Sequence, residues 1–350
     1  EALPLRKDNF YEEYHIDFMH DTVVESVDKA AREIDFEGGG TLAYNRLLIA
    51  TGGIPRTLDL PGKDLDGIFT LRSRDDCEKI IKAAEKAEKI AVVGASFIAM
   101  EVAFSLKQRT EKPVTIIAPE KVPFENIFGE DIGNLFKSKH EDLGNKFILG
   151  AKISGFKGNG SVSGVELESG DSIPADLVIL GVGVKPATDF LKDVFPLGED
   201  GSVKVDLHFQ AGDHIWAAGD IARFPDWRSD DGIRIEHWRT AQQQGRTAGF
   251  NMAGREIEYN SAPFFWTTQA FMHFRYVGHT RGWDEIIYKG NVEDEDFVAY
   301  YIKHGKVYAA AGVGRDKTMA AVQELFRTGS MPDPEDLRKN EINYPLELMR

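Results

Sequence analysis

Trp216-Ala217-Ala218-Gly219-Asp220-Ile221-Ala222 is an apolar run that narrows to small residues and stops at one carboxylate. Side chains that small let a ligand come close to the backbone, and an ionised Asp accepts hydrogen bonds from ligand hydroxyls without donating any. An Asp after a strand also serves as a turn former or helix cap, so the stretch means little alone. It has company. Leu47-Leu48-Ile49-Ala50-Thr51-Gly52-Gly53 and Gly181-Val182-Gly183-Val184-Lys185-Pro186 are two more strand-to-glycine turns, and a fourth lies between them.

That fourth turn, Val92-Val93-Gly94-Ala95-Ser96-Phe97-Ile98-Ala99-Met100-Glu101, sits in a strand, turn, helix, strand pattern. Ile90 to Val93 is a continuous apolar run, Phe97 to Gln108 is apolar on one helical face, and Val114 to Ala118 reads as a second buried strand. Such alternation implies a parallel sheet with right-handed crossovers. In the dinucleotide fingerprint G-x-G-x-x-G the glycines allow a tight turn, close pyrophosphate approach and tight helix packing. Here Gly94, Ser96 and Ala99 hold those places. Ala at the third is an accepted variant. Ser at the second intrudes where phosphate oxygens approach, or donates a hydrogen bond to them; a purely structural turn is the alternative. Glu120, just past the second strand, stands where an acidic ribose ligand belongs and would repel a 2′-phosphate, favouring NADH over NADPH. Otherwise it is an exposed loop carboxylate.

Upstream, Val23 to Val27, Ala31 to Phe36 and Tyr44 to Ala50 read as a β-meander feeding a strand, turning at Glu37-Gly38-Gly39-Gly40. Ser73 to Lys86 has helical spacing with Ser73 as N-cap. Phe147 to Leu149, Val162 to Leu167 and Leu177 to Leu180 complete a second αβ section, and a helix is expected from about His237 to Met252. From Pro263 aromatic and polar residues alternate, ending in a helix around Thr318 to Phe326.

Composition excludes several classes. At 350 residues the chain can hold two or three domains, and its net charge of −15 is spread along its length. Phosphate-backbone binding needs clustered Lys and Arg, which are absent, so nucleic acid is an unsuitable partner. The single cysteine, Cys77, lies among carboxylates that disfavour a thiolate and rules out an internal disulfide or a cysteine-rich metal site. No apolar run approaches the ~20 residues of a membrane span. The nine histidines show no paired metal-ligand spacing, and no metal is expected.

With these turns in place, the chain resembles the FAD-dependent ferredoxin and rubredoxin reductase group, and most of all its apoptosis-inducing-factor-like branch. The resemblance rests on Ala50-Thr51-Gly52, the fingerprint ending in Glu101, Gly181 to Pro186, Ala217 to Asp220, Glu236-His237-Trp238 with Ala241 and Gly245-Arg246, and Pro263-Phe264-Phe265-Trp266-Thr267. It implies an α/β fold with two Rossmann-like domains, for FAD and NAD, plus a C-terminal α+β domain. Residues 1–72 and 206–258 would form the FAD domain, 73–205 the NAD(H) domain and 259–350 the C-terminal domain. FAD and NADH are the implied cofactors. Asp220 would hold the FAD ribityl chain, Glu101 would lie near the nicotinamide, and Glu236, His237 and Trp238 would lie beside the flavin ring. Glu101 and His237 are thus the implied catalytic residues. Ala50, Thr51, Gly52, Gly94, Ser96, Phe97, Ile98, Ala99, Glu120, Gly183, Gly219 and Trp266 complete the implied cofactor set. A helix starting near His237 would aim its positive end at the flavin and stabilise the reduced, anionic ring; an ordinary helix-start role is the alternative for His237. Phe265 and Trp266 would wall the flavin or simply pack the core.

The family's first FAD fingerprint lies N-terminal to everything here, so the FAD domain is expected to be incomplete at its N-terminus and this polypeptide to bind FAD poorly by itself. The expected activity of the intact protein is hydride transfer from NADH to FAD and electron delivery to an iron–sulfur protein. Two alternatives stand beside it: an NADH-responsive signalling flavoprotein that turns over slowly, and an inactive truncated scaffold. A homodimer is a further expectation. The compartment is expected to be cytoplasmic, or mitochondrial, according to a native N-terminus upstream of Glu1.

Overall fold

The runs that read as buried strands pair into one parallel sheet in a computed structural model describing residues 5–339. The ends at 1–4 and 340–350, which the first and last expected domains include, lie outside the described residues. The sheet runs Ile68–Phe69, Leu177–Leu180, Ile90–Val93, Val114–Ala118, Lys146–Leu149, with every neighbour parallel. Strands of this kind are apolar on both faces because both are covered. Ile90, Val92, Val114, Ile116 and Ile179 face the helices Arg74–Lys86, Phe97–Thr110 and Glu130–Asp142. Ser73 opens the first of these through a reciprocal capping box with Asp76, an arrangement that stabilises a helix start by about 1 kcal/mol.

Ala91, Val93, Ile117, Val178 and Leu180 face the other way. Among the described residues no helix covers them. An antiparallel meander of Ile153–Asn159, Ser161–Leu167 and Ser172–Pro174 does so, through Phe156, Val162 and Val165. Val162 to Leu167 is therefore not part of an αβ section. Gly160, at φ +80°, turns the chain directly back on itself, and a turn that short can join only antiparallel strands.

The N-terminal meander pairs Val24–Asp28, Glu33–Phe36 and Thr41–Ala43. Its third strand is this short, exposed Thr-Leu-Ala segment; the apolar run after Tyr44 leaves the meander. Leu47–Ile49 pairs in parallel with Ile215–Ala217, so Ile49 lies opposite Ala217. Two turns far apart in sequence, Ala50 to Gly52 and Ala218 to Asp220, thereby leave a sheet side by side.

From Phe264 the alternating residues form a five-stranded antiparallel sheet, ordered Phe264–Gln269, Met272–Gly278, Lys306–Val313, Asp296–Lys303, Glu285–Asn291. One face carries the helix Asp316–Thr328 through Met319, Val322 and Phe326. The other presents Met272, Phe274, Phe297, Tyr301 and Ala311 to the same core that fills the fingerprint helix. This third layer and the parallel sheet therefore share one hydrophobic core.

Candidate functional site

Helix starts and strand ends converge on one cavity of about 530 Å³. Ala50 and Gly52 line it from the turn after Leu47–Ile49, Gly181 and Gly183 from the turn after Leu177–Leu180, Gly219 and Asp220 from the turn after Ile215–Ala217. Ser96, Phe97 and Ile98 open the helix Phe97–Thr110, and His237 and Trp238 open the helix Trp238–Met252; both starts form part of the wall. Neither N-cap residue, Ser96 or His237, makes a side-chain cap. First-turn N–H groups without intrahelical partners, with the positive end of the dipole behind them, suit phosphate, carboxylate or a developing anion.

The glycines are there for space. Gly94 has φ +111°, and a Cβ on it would stand 2.4 Å from the Gly181 carbonyl oxygen. A Cβ on Gly181 would stand 2.7 Å from the Ala99 Cβ. Gly94 and Ala99 thus shape the turn from behind without lining the cavity.

Asp220 accepts a hydrogen bond from Arg72 Nη2 at 2.7 Å. Arg72, which the sequence reading overlooked, also lines the cavity, following the strand Ile68–Phe69 and directly preceding the Ser73 cap. A lone basic residue between a strand and a capped helix was the available signal. Arg234 was overlooked as well. Its guanidinium donates to Asp200 at 2.8 Å, to the Asp220 backbone carbonyl at 3.0 Å and to Glu236 at 2.5 Å, and so clamps two parts of the wall together. Burial pushes the Asp200 carboxyl up, but the Ser202 hydroxyl, Arg234, the Ser202 N–H and Arg223 outweigh it and hold Asp200 well below the usual carboxylate range.

From His237 into the first two turns of its helix, three buried polar atoms have no hydrogen-bond partner among the described residues: His237 Nδ1, Thr240 Oγ1 and Gln244 Nε2. Gln244 uses its oxygen to accept from the Gly219 N–H at 2.8 Å. All three atoms are enclosed by protein, and of the three residues His237 alone lines the cavity. Burial first, and then the Arg239 charge, lower the His237 pKa, with Asp220 opposing them; the imidazole is neutral at neutral pH.

Other expected residues lie elsewhere. Thr51 turns its hydroxyl to the Ala187 carbonyl at 2.8 Å. Trp266 stands behind the wall, edge-on to His237 at 4.9 Å and to Trp238 at 5.3 Å, whereas Phe265 reaches the cavity. Glu120 lies beyond the strand Val114–Ala118, away from the cavity lining. Glu101 stands one helical turn behind Phe97 and accepts from Thr267 at 2.5 Å.

Two α/β layers whose glycine turns and helix starts share one cleft have the architecture of dinucleotide-dependent oxidoreductases. The chain belongs to the pyridine nucleotide-disulphide oxidoreductase family, which residues 5–245 match, and residues 264–344 match the reductase C-terminal domain. It is 33% identical over 346 residues to human apoptosis-inducing factor 3, covering 98% of this chain and 56% of that protein. It is 28% identical over 351 residues to a ferredoxin–NAD(P)(+) reductase from Sphingomonas sp, covering 99% of this chain and 84% of that one. Among solved structures, the covalent putidaredoxin reductase–putidaredoxin complex superposes with a TM-score of 0.91 at 26% identity, over 99% of this chain and 84% of that one. The chain therefore spans little more than half the length of the human relative. Among the described residues no helix is long and apolar enough to cross a membrane.

Proposed function

We propose that this chain carries the ring-and-ribityl part of an FAD site beside an NADH site, and that the protein passes electrons from NADH to an iron–sulfur protein. One observation carries the proposal: three glycine turns and two helix starts, scattered from Ala50 to Trp238, line a single cavity around Asp220 and His237. The expected division into an FAD domain (1–72 and 206–258), an NAD(H) domain (73–205) and a C-terminal domain (259–350) belongs to the same proposal.

FAD, when bound, supplies the redox chemistry, accepting a hydride and releasing electrons one at a time. The chain's own residues bind and orient. Asp220, steadied by Arg72 and Arg234, accepts from ribityl hydroxyls. The start of the helix Trp238–Met252 sets its dipole toward the ring edge where negative charge collects. His237, kept neutral mainly by burial, lines the cavity beside that helix start. Ser96 and the first-turn N–H groups of the fingerprint helix face the pyrophosphate of NADH, and Glu120 disfavours a 2′-phosphate.

Exit of electrons to a protein requires a surface close to the ring. Trp238 is 61% exposed at the cavity rim. The helix it begins carries Arg239 and Arg246 and no acidic residue, in a chain of net charge −15. An acidic electron carrier suits that face. Names among the relatives agree, since one is a ferredoxin reductase and one structure is a complex with putidaredoxin. The slow signalling flavoprotein is the second reading, favoured by similarity to human apoptosis-inducing factor 3.

The test is a visible absorption spectrum of the chain with excess FAD, before and after anaerobic NADH. Bound flavin that bleaches on NADH supports the proposal. Flavin that binds and does not bleach, in a chain that still binds NADH, overturns it. Sedimentation with and without NADH tests the homodimer.

A further inference from the structure

The strand Phe264–Gln269 and the helix Phe97–Thr110 meet in matched register. Alternate residues of a strand share a face about 6.6 Å apart, and residues four apart on a helix lie about 6 Å apart. Phe265 accordingly meets Phe97, with ring centroids 4.3 Å apart. Thr267 meets Glu101 and donates its hydroxyl to Oε1 at 2.5 Å. Gln269, next on that face and wholly buried, turns to His140 on the helix Glu130–Asp142.

Hydrogen bonding continues from there without a break. Gln269 Nε2 donates to Thr267 Oγ1 at 3.2 Å, so its Oε1 is an acceptor, and His140 Nε2 donates to that oxygen at 3.2 Å. With the imidazole proton on Nε2, Nδ1 accepts from Asn145 Nδ2 at 3.2 Å. Asn145 Oδ1 in turn accepts the backbone N–H of Val114 at 3.1 Å. Thr267, Gln269, His140 and Asn145 are all buried. Every donor points toward Glu101. Reversing the chain would turn the Asn145 NH₂ onto the Val114 N–H, two donors face to face, and a backbone N–H cannot become an acceptor. The backbone therefore sets the sense of the whole chain.

We propose that Asn145, His140, Gln269 and Thr267 are positioning residues for Glu101, a one-way chain of donors that starts at a backbone N–H and fixes the orientation of the Glu101 carboxyl group. Successive hydrogen bonds in a dry interior polarise one another, so the remote members act on the last one. The chain crosses from the parallel-sheet layer to the third layer and back, tying Glu101 and, through the same register, Phe97 to both. Glu101 Oε2 has no protein donor among the described residues. Burial lifts the Glu101 pKa above the usual carboxylate value and the Thr267 hydroxyl opposes that rise without cancelling it, with no charged side chain contributing from the elements around it. His140, the other titratable member, is kept neutral mainly by burial, with the Gln269 bond opposing.

The functional weight of this inference rests on placing Glu101 beside the nicotinamide; the chain of donors does not. Its test uses the full chain without cofactors. Nitrogen-15 NMR of the ring should find His140 as the neutral Nε2–H tautomer, and a Nδ1–H or doubly protonated ring overturns the proposal. Infrared difference spectra against Glu101→Gln follow the protonated carboxyl of Glu101 as pH falls. Thr267→Val should raise its midpoint by about one pH unit, with Thr267→Ser restoring it. Gln269→Met, which touches Glu101 nowhere, should raise it by a smaller step. An unmoved midpoint in Gln269→Met overturns the proposal. If that variant does not fold, Asn145→Asp takes its place: an acceptor facing Nδ1 reverses the chain and should raise the midpoint too, and an unmoved midpoint there has the same force. NADH affinity of Glu101→Gln then separates the two ideas, because wild-type affinity beside shifted midpoints refutes only the nicotinamide placement.

Discussion

The Arg72 guanidinium donates to the Asp220 carboxylate at 2.7 Å, joining residues 148 positions apart across the mouth of the cavity. Arg72 keeps 41% of its side chain exposed, while Asp220 keeps 13%. Pairs with one partner this wet contribute little to folding, so the consequence of the contact is for ligand binding. It ties the Asp220 carboxylate to Arg72 within the cavity wall and gives any bound hydroxyl chain a charged neighbour.

Replacing each partner should therefore separate binding from stability. Asp220→Ala is expected to weaken FAD retention by about ten- to a hundredfold, the loss of a hydrogen bond to a charged group. Arg72→Ala should shift unfolding by less than about 1 kcal/mol. A flavin absorbance titration and a urea melt read the two. Unchanged flavin affinity in Asp220→Ala would remove Asp220 from the site.

Gly94→Ala places a methyl 2.4 Å from the Gly181 carbonyl oxygen at φ +111°. Destabilisation by about 2–4 kcal/mol is expected. Gly249, in the helix Trp238–Met252 with open space around a Cβ, is the contrast: Gly249→Ala should stabilise by about 0.5–1 kcal/mol. Chemical denaturation of both variants checks the pair, and equal effects would contradict the packing described for the turn.

Nicotinamide cofactor choice follows from Glu120. Its charge would face a 2′-phosphate, so Glu120→Arg should move preference toward NADPH by about tenfold or more. Fluorescence titrations with both cofactors decide it. A variant that still prefers NADH to the same degree would return Glu120 to the status of a loop carboxylate.

Acid should destabilise the fold through His279, whose pKa is pushed down to about 4 by burial and then by Arg281, Arg228 and Arg223. The unfolded chain binds this proton from about pH 6.5 downward, and the folded one only near pH 4. Stability from this group is therefore complete above pH ~6.5 and is lost as pH falls toward 4, by about 1–3 kcal/mol. Urea melts across that window should show the loss, and His279→Gln should flatten it. An equal slope in the variant would assign the effect to other groups.

Arg246 is exposed on the helix that begins at the cavity rim. Arg246→Glu should slow electron delivery to an acidic iron–sulfur protein several-fold, most at low salt, while reduction of a small dye stays as in wild type. Stopped-flow mixing with each acceptor measures this. Parallel loss with the dye would place the defect in the cavity.

Local signals carried the elements. The period of the apolar residues set the strands Ile90–Val93 and Val114–Ala118 and the helix Phe97–Thr110. The Ser73 cap marked one helix start, and His237 another. The four glycine turns were legible because space for a Cβ is a property of a few neighbouring residues. Three of them reach the cavity through their glycines, and the fourth reaches it through Ser96, Phe97 and Ile98 with Gly94 behind them. What the sequence by itself determined was this order of turns and periods, which is enough to name the family.

Only tertiary structure decided which side chains face the cavity. Arg72 joins Asp220, Arg234 ties Asp200 to Glu236, and Glu101 turns away to Thr267, a partner 166 positions on. Trp266 withdraws behind His237 while Phe265 comes forward, because alternate strand residues face opposite ways and the pleat must meet the fingerprint helix in one register. Val162–Leu167 joins an antiparallel layer where its apolar content alone allowed either arrangement. Periodicity reports which residues are buried, and the packing of layers from distant parts of the chain reports against what.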